Sequence, residues 1–416
     1  MPPRLYHTKS KTGCLRCRTR RVKVCAQTAL SREWHHDDCS DSAALQCDET
    51  QPTCGGCTRH RVACVYDRRP DSTSPKPDRG AKPEPDTFFQ ETQERRHREL
   101  RLLHVFVTQV CPYIPGTHIP KLLEIWTVGV PEMALGYEPL LHAILGFSCL
   151  YEATYKHKVA AERLHWRARY LEKTLQAHRA ALGHFTRENA DAVSFTTVVI
   201  TLDAFAHLRE RDLSGPYEPP MDWLQLSRGI GDVCKCALAL LQDDKDALIW
   251  PLVHTSVDTI RMRKSDDLPM LGALSHLLVP VGSEDLGDAI EEEAYRETVR
   301  LLEWVASGRE AGEPLNIFCR RLMYLSTLLP ARYVELLSMK RPRALVLLAH
   351  VFAFCSYASE MWWVGDSAKQ EIKALQESGL LDGPEWEAMM RWPASIVAGE
   401  QLPCRLESGN MKTAVD

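Results

Sequence analysis

Cysteine spacing constrains this chain more than any other feature of its sequence. Of its 15 cysteines, eight fall within residues 14–64, and Cys14/Cys17 and Cys54/Cys57 are C-x2-C pairs. Pairs at this spacing favour a bound metal ion where thiols stay reduced. The basic, polar N-terminus lacks the apolar stretch of a secretory signal, which agrees with a reducing compartment. The N-terminal region is therefore predicted to fold around metal.

An insertion interrupts the series of cysteines. When residues 24–46 are set aside, the spacing becomes C-x2-C-x6-C-x6-C-x2-C-x6-C. The six candidate metal ligands are Cys14, Cys17, Cys47, Cys54, Cys57 and Cys64. Thiolates suit zinc, and structural zinc takes four ligands, so six sulfurs can hold two zinc ions when two of them bridge. Because so small a module has almost no apolar core, metal binding must supply most of its folding free energy.

Without the insertion, this cysteine pattern, the basic run after Cys17 and the proline at Pro52 resemble the fungal binuclear zinc cluster family. The resemblance implies a cofactor of two Zn²⁺, with Cys14 and Cys54 as bridging ligands. It assigns Cys17 and Cys47 to one zinc ion, and Cys57 and Cys64 to the other.

The same resemblance implies that a short helix after Cys17 enters the major groove of double-stranded DNA and reads a CGG triplet. By position, Arg20 and Arg21 lie nearest the bases, and Arg18 and Lys23 lie toward phosphates. Arginine can bond guanine O6 and N7 together, and the other cations add salt-dependent affinity for the backbone. Taken alone, the basic run would be interpreted as a solvated surface. Within this cysteine pattern, DNA binding is the favoured interpretation.

Charge is distributed unevenly along the chain. The formal net charge is −4, yet residues 1–70 hold 13 Lys and Arg against 7 Asp and Glu, which leaves −10 on the remainder. A basic head on an acidic body is typical of a small nucleic-acid-binding module joined to a regulatory domain.

The insertion works against this arrangement, because it carries one Arg and four Asp or Glu into a surface that should face phosphate. We interpret it as translated intron, because introns of the common class begin with GT and end with AG. Val24, the first residue of the insertion, is encoded by GTN, and Gln46, its last residue, can be encoded by CAG. Two alternatives remain open. The 23 residues could form a genuine loop, since loop-closure entropy grows only slowly with length. Cys25 could instead replace Cys47 as a ligand. The cluster of His35, His36, Asp37, Asp38 and Cys39 is interpreted as chance.

The domain organisation follows from composition. We predict a basic disordered tail at 1–13, the zinc module at 14–64, a proline-rich linker at 65–93, an all-helical domain at 94–400 and a tail at 401–416. Apolar residues at helical spacing predict helices at 94–110, 137–156, 160–182, 189–211, 222–241, 291–306, 314–328 and 342–363. No apolar run was found to reach the roughly 18 residues that a membrane helix needs, so no membrane association is expected.

The all-helical domain 94–400 is called the body. Several motifs in it resemble the regulatory domain of sterol-uptake-type zinc cluster regulators. They are Cys111-Pro112, Leu122-x3-Trp126-x4-Pro131-x2-Ala134, the run 140–145, and 221–229 with Trp223 and Ser227. The resemblance implies an all-helical domain that binds a small apolar effector or protein partners. Phe352, Phe354, Trp362 and Trp363 are candidates to line such a pocket, although core packing is the favoured role.

The sequence therefore predicts a nuclear, DNA-binding regulator of RNA polymerase II transcription that contacts the transcription machinery and controls a fungal metabolic or biosynthetic gene set. No catalytic constellation is visible, so an enzyme is not expected. The alternative is a helical interaction or effector-sensing protein that does not bind DNA because the insertion disrupts the cluster. Oligomeric state stays open.

Overall fold

The computed structural model describes Cys57, Cys64 and residues 87–254, 272, 274–282 and 285–400. Two compact units divide the chain, Met1–Glu84 and Pro85–Asp416. In the part of the second unit that the structure describes, every regular element is a helix or a helical turn. The expected large helical domain is therefore present.

Helices follow one another through the described residues of the second unit. They are α1 (Gln93–Val105), α2 (Pro120–Glu124), α3 (Val130–Gly136), α4 (Glu138–Tyr155), α5 (Ala160–Leu182), α6 (Ala190–Ala206), α7 (Met221–Leu240), α8 (Ala289–Glu310), α9 (Leu315–Leu328), α10 (Ala331–Ser338), α11 (Pro342–Ser356), α12 (Ser367–Glu377) and α13 (Pro384–Ala398). Single π-helical turns, Phe106–Val110 and Ile125–Gly129, extend α1 and α2. A further helical segment lies at residues 249–254.

Local capping explains where individual helices begin. The Thr92 hydroxyl accepts a hydrogen bond from the Arg95 amide at 3.1 Å before α1, and Asp288 accepts from the amides of Ile290 and Glu291 at 2.9 Å before α8. These side chains satisfy amides that the first turn leaves without intrahelical partners. Other helices begin with proline, which lacks that amide and has a helical φ in place.

The core is organised around α11, whose residues from Arg343 to Ser356 are all buried. It packs against α8, α12 and α13, while α4 pairs with α5 and α6, and α6 in turn packs against α7. A helix buried on every side needs apolar residues around its whole circumference, which the run 344–355 provides apart from His350. The largest apolar cluster of the described residues therefore extends from Val105 to Trp392, and two smaller clusters are separate from it.

The helices predicted from apolar spacing are confirmed, with differences at their ends. The segment predicted at 342–363 ends at Ser356, because the chain then turns so that Trp362 and Trp363 pack into the core. Residues 207–210 form a 3₁₀ turn rather than the last turn of α6. The helices α2, α3, α10, α12 and α13 were not predicted. Three of them contain proline in the first turn, where it begins a helix rather than ending one.

The expectation about apolar runs needs correction at α6. Ala190–Glu210 is long and apolar enough to cross a membrane by length and composition, although 78% of its most apolar window is buried inside the body. Ser194, Thr197 and Thr201 each hydrogen-bond a carbonyl one turn earlier, so hydroxyls on this helix are satisfied internally. The segment packs as a core helix of the body.

Candidate functional site

The structure describes two of the six predicted zinc ligands. Cys57 is helical and 2% exposed, and Cys64 is half-buried outside regular structure. A buried sulfur in so polar a segment fits a ligand that faces a metal-organised interior. The other predicted residues, Cys14, Cys17, Cys47, Cys54, Arg18, Arg20, Arg21 and Lys23, lie outside the described residues, as does the insertion 24–46.

Two adjacent phenylalanines anchor the start of the body. Phe88 and Phe89, in the turn Thr87–Phe89, pack around Tyr170 of α5, with ring centroids 5.2 and 5.8 Å away. Phe89 also lies 5.1 Å from the ring of His142 on α4. The anchor therefore joins the chain just after the proline-rich region to two helices.

Arginines of α1 complete this anchor. Arg98 stacks on the Phe88 ring at 3.9 Å, donates to the Phe88 carbonyl at 2.9 Å and donates to the Tyr170 hydroxyl at 3.1 Å. Arg95 donates to the Phe89 carbonyl at 2.5 Å. Burial, followed by the charge of Glu99, raises the pKa of Tyr170, so its hydroxyl stays protonated as a hydrogen-bonding group. The consecutive aromatics at 88–89 were the available sequence signal for this anchor, and the sequence analysis did not use it.

The aromatic residues proposed for an effector pocket lie inside the core. Phe352, Phe354, Trp362 and Trp363 are each at most 3% exposed. Trp362 packs on Phe147 at 5.0 Å, and Trp363 packs on Phe205 at 5.6 Å. Trp363 Nε1 also donates to the Tyr113 carbonyl at 2.9 Å. These contacts support the favoured interpretation of the four residues as core.

A small cavity lies between α4, α5 and α6. Its volume is about 10 Å³, and it is lined by His142, Ala143, Gly146, Leu171, Val199, Ile200 and Asp203. A cavity of this size has room for one water molecule, whereas drug-sized ligands occupy hundreds of cubic ångströms. It cannot hold a small apolar effector without rearrangement of these helices.

Charged side chains inside the body join distant helices. Three cations converge on Glu152 of α4, namely Arg101 at 2.8 Å, Lys156 at 2.6 Å and Arg163 at 2.6 Å. Burial alone would raise the pKa of Glu152, but these cations together lower it below its ordinary value. The carboxylate therefore stays ionised and ties α1 to α4 and α5.

Two further buried carboxylates have the same structural role. Asp203 of α6 accepts two hydrogen bonds from Arg167 of α5, at 2.9 and 2.5 Å. Glu371 of α12 pairs with Arg211 and accepts from the Tyr217 hydroxyl at 2.9 Å. Burial raises the pKa of Glu371 despite the nearby guanidinium. Among the described residues, no group of three His, Cys, Asp or Glu side chains is placed to hold a metal ion.

Motif residues of the body proved to be packing residues. Cys111, Leu122, Trp126 and Ala134 are at most 1% exposed, and the Cys111 thiol donates to the Trp126 carbonyl at 3.1 Å. Trp223 is likewise buried and packs on Phe205 at 4.9 Å. These buried motif residues therefore specify the fold of the body rather than a binding site.

Comparison with known families and proteins gives a consistent result. Residues 44–73 match the fungal Zn(2)-Cys(6) binuclear cluster domain, a domain that binds two zinc ions. The chain is 34% identical over 352 residues to the Zn(2)-C6 fungal-type transcription factor afumD of Aspergillus fumigatus, which covers 84% of this chain and 86% of that protein.

More distant relatives extend the likeness. A Zn(2)-C6 fungal-type transcription factor of Gibberella zeae is 24% identical over 477 aligned positions, 97% of this chain and 89% of that protein. Sterol uptake control protein 2 of Saccharomyces cerevisiae is 23% identical over 200 residues, 46% of this chain and 18% of that protein. All three relatives resemble this chain in its helical part, since each alignment is longer than the zinc module.

Proposed function

The chain belongs to the fungal Zn(2)-C6 transcription factors, and we propose that it regulates RNA polymerase II transcription by binding CGG-containing sites in double-stranded DNA. The observation that carries the proposal is the cysteine pattern, whose second half falls inside the matched zinc cluster domain. Regulators of this kind act in the nucleus and contact the transcription machinery. A fungal metabolic or biosynthetic gene set is the proposed target.

In this proposal the two zinc ions are held by Cys14, Cys17, Cys47, Cys54, Cys57 and Cys64. Zinc fixes the fold of the module and takes no part in chemistry, because a closed site of thiolates leaves no open coordination position. Arg20 and Arg21 read the bases, while Arg18 and Lys23 neutralise phosphates. The fit of Cys57 as a buried ligand supports this assignment.

The insertion is proposed to be absent from the active protein. The matched domain begins at residue 44, close to the end of the insertion, and includes Cys47, Cys54, Cys57 and Cys64. A series of cysteines that continues in register on both sides of residues 24–46 is expected if these residues were never part of the module.

A gel-shift titration tests the proposed function. The chain lacking residues 24–46 is loaded with zinc and titrated against a duplex with one CGG triplet and a duplex of scrambled sequence. Arg21→Ala should weaken binding to the CGG duplex by about 1–3 kcal/mol and reduce the preference over the scrambled duplex. Lys23→Ala should weaken binding to both duplexes equally and lower the salt dependence. Equal affinity for both duplexes in the unsubstituted chain would contradict the CGG assignment.

The insertion is tested separately, on messenger RNA and on protein. Reads of cDNA across the codons of Lys23 and Cys47 should lack the 23 intervening codons in the dominant message. The number of zinc ions bound by the chain that retains residues 24–46 then distinguishes the DNA-binding function from the alternative. Two zinc ions per chain would favour the genuine loop, whereas none or one would favour a helical interaction protein that does not bind DNA.

A small apolar effector, or a protein partner, is the further proposed partner of the helical domain. The four aromatic residues named for an effector pocket are buried in the core, and the cavity between α4, α5 and α6 has room for one water molecule, so an effector would bind at another place.

A further inference from the structure

Three tyrosines gather on the surface where the end of α4 meets the turn that follows α1. The rings of Tyr151 and Tyr155 are 4.9 Å apart, and Tyr151 lies edge-on to buried Trp362 at 5.2 Å. Tyr113 joins the same region through its backbone, because its carbonyl accepts a hydrogen bond from Nε1 of Trp363, the residue next to Trp362. Tyr113 is 44% exposed and Tyr155 is 57% exposed. Large aromatic area thus faces solvent on top of a rigid core.

Exposed cations border these rings. Lys156 and Lys158, which follow Tyr155, are both exposed, and Arg101 of α1 reaches the same end of α4 through Glu152. The Arg101 and Lys156 side chains are 45% and 56% exposed, whereas Glu152 is 1% exposed. Positive charge is therefore presented to solvent while its counter-charge is buried. We name this surface the tyrosine–lysine patch, which comprises Arg101, Tyr113, Tyr151, Tyr155, Lys156 and Lys158.

The patch is fixed by contacts beneath it. The Tyr151 hydroxyl donates to Gln109 Oε1 at 3.4 Å, and the Tyr113 carbonyl accepts from Trp363 Nε1 at 2.9 Å. Arg209 donates to the Trp362 carbonyl at 2.9 Å from the side of α6. A surface held in this way loses little conformational entropy when a partner binds.

We propose that the tyrosine–lysine patch binds an acidic segment of a partner protein that carries interspersed aromatic or aliphatic residues. Tyrosine and arginine supply much of the binding free energy at protein interfaces, because they combine apolar area with hydrogen-bonding groups. The bordering cations complement the carboxylates of such a segment and orient it.

Single-stranded nucleic acid also stacks on aromatic rings bordered by cations. The peptide is favoured because the exposed cations of the patch are few, and the chain after residue 70 carries net negative charge. A long polyanion would be repelled by that surrounding charge, whereas a short segment needs only the local cations.

Fluorescence polarisation with the full-length chain tests the proposal. The probe is a fluorescein-labelled peptide of three Asp-Phe-Asp-Asp-Leu repeats, compared with three Asp-Ser-Asp-Asp-Ser repeats and a 15-nucleotide single-stranded DNA. We expect the first peptide to bind, and Tyr155→Ser and Lys156→Ser each to raise its Kd about five- to tenfold. Leu135→Ser, which alters an exposed apolar residue of α3, and Lys121→Ser, which alters an exposed cation of α2, are the matched controls and should leave Kd unchanged.

Four results would overturn the proposal. They are no binding of the aromatic acidic peptide, equal binding of the serine-containing peptide, binding that Tyr155→Ser and Lys156→Ser leave unchanged, and patch-dependent binding of the single-stranded DNA alone. Circular dichroism of each variant confirms folding, since Tyr155 and Lys156 are exposed and their substitution should not disturb α4.

Discussion

The zinc module and the helical body differ in the source of their folding free energy. The module is proposed to fold around two zinc ions held by six cysteines, because its sequence offers almost no apolar residues for a core. The body holds one large apolar core around α11, and its motif residues, such as Trp126 and Trp223, are buried within that core. A recognisable motif thus identifies a site in the module and a packing arrangement in the body.

This difference bears on where the body can bind a partner. The large motif residues Trp126 and Trp223 are interior and cannot contact a partner. Residues outside these motifs, such as Tyr113 and Tyr155, are exposed and lie on a rigid support. We therefore expect partner binding in the body at positions outside the motifs, where its relatives can have different residues.

Removal of zinc should separate the two regions most strongly. Structural zinc contributes about 10–16 kcal/mol in small modules at neutral pH, so EDTA or Cys54→Ser should abolish CGG binding. The melting of the body, followed by circular dichroism, should shift by less than about 2 °C, because its core includes no metal ligand. Cys236→Ser, at an exposed thiol of α7, is the control and should preserve DNA binding. Loss of body structure on chelation would refute the separation.

Truncation in the body core should give the reverse result. Trp223 packs between Phe205 at 4.9 Å and Phe352 at 6.2 Å, so Trp223→Ala removes an interior ring and leaves a cavity. We expect the free energy of unfolding to fall by about 3–5 kcal/mol in urea titrations, while zinc content per chain stays at two. Leu135→Ala, at a residue 72% exposed, should change it by less than about 0.5 kcal/mol. Zinc loss in the Trp223 variant would show that the regions are not independent.

Sequence analysis succeeded where the signal is local. Cysteine spacing along the chain identified the zinc cluster family, and apolar residues three and four apart predicted long helices such as α5. The six individual zinc ligands stay a prediction. It failed where the signal is not local. Phe88 and Phe89 anchor on Tyr170, about eighty positions away, and no periodicity reveals such a contact. The tyrosine–lysine patch likewise combines α1 and α4 with the turn after α1, so only the tertiary structure brings its residues together.

A buried histidine makes the stability of the body depend on pH. His350 is fully buried among Val346, Trp392 and His276, and burial lowers its pKa to about 4. In the unfolded chain its pKa is about 6.5, so the unfolded state binds a proton first as pH falls. The contribution of neutral His350 to the free energy of unfolding is complete above pH 6.5. It is lost as the pH falls from 6.5 to about 4, by up to about 3 kcal/mol.

His350→Leu should flatten this pH dependence in urea titrations at pH 7, 6, 5 and 4.5. The exposed residue His97 of α1 provides the control, since His97→Gln should leave the slope of stability against pH unchanged. An unchanged slope in the His350 variant would assign the acid sensitivity of the body to other groups, namely its carboxylates or another buried histidine such as His178, whose pKa burial also lowers to about 4.

The smallest expected effect lies at the start of the body, where the Phe88–Phe89 anchor begins the packed structure. Arg98→Ala removes the stack on Phe88 and the hydrogen bonds to the Phe88 carbonyl and the Tyr170 hydroxyl, so the free energy of unfolding should fall by about 1–2 kcal/mol. Arg96→Ala is the matched control, because Arg96 pairs with exposed Glu91 and such pairs contribute about 0–1 kcal/mol. Hydrogen exchange should show faster exchange of the amides of 88–95 in the Arg98 variant alone. Equal exchange in both variants would mean that apolar packing on Tyr170 holds the anchor without Arg98. The aromatic residues, and not the contacts of Arg98, would then stabilise the start of the body.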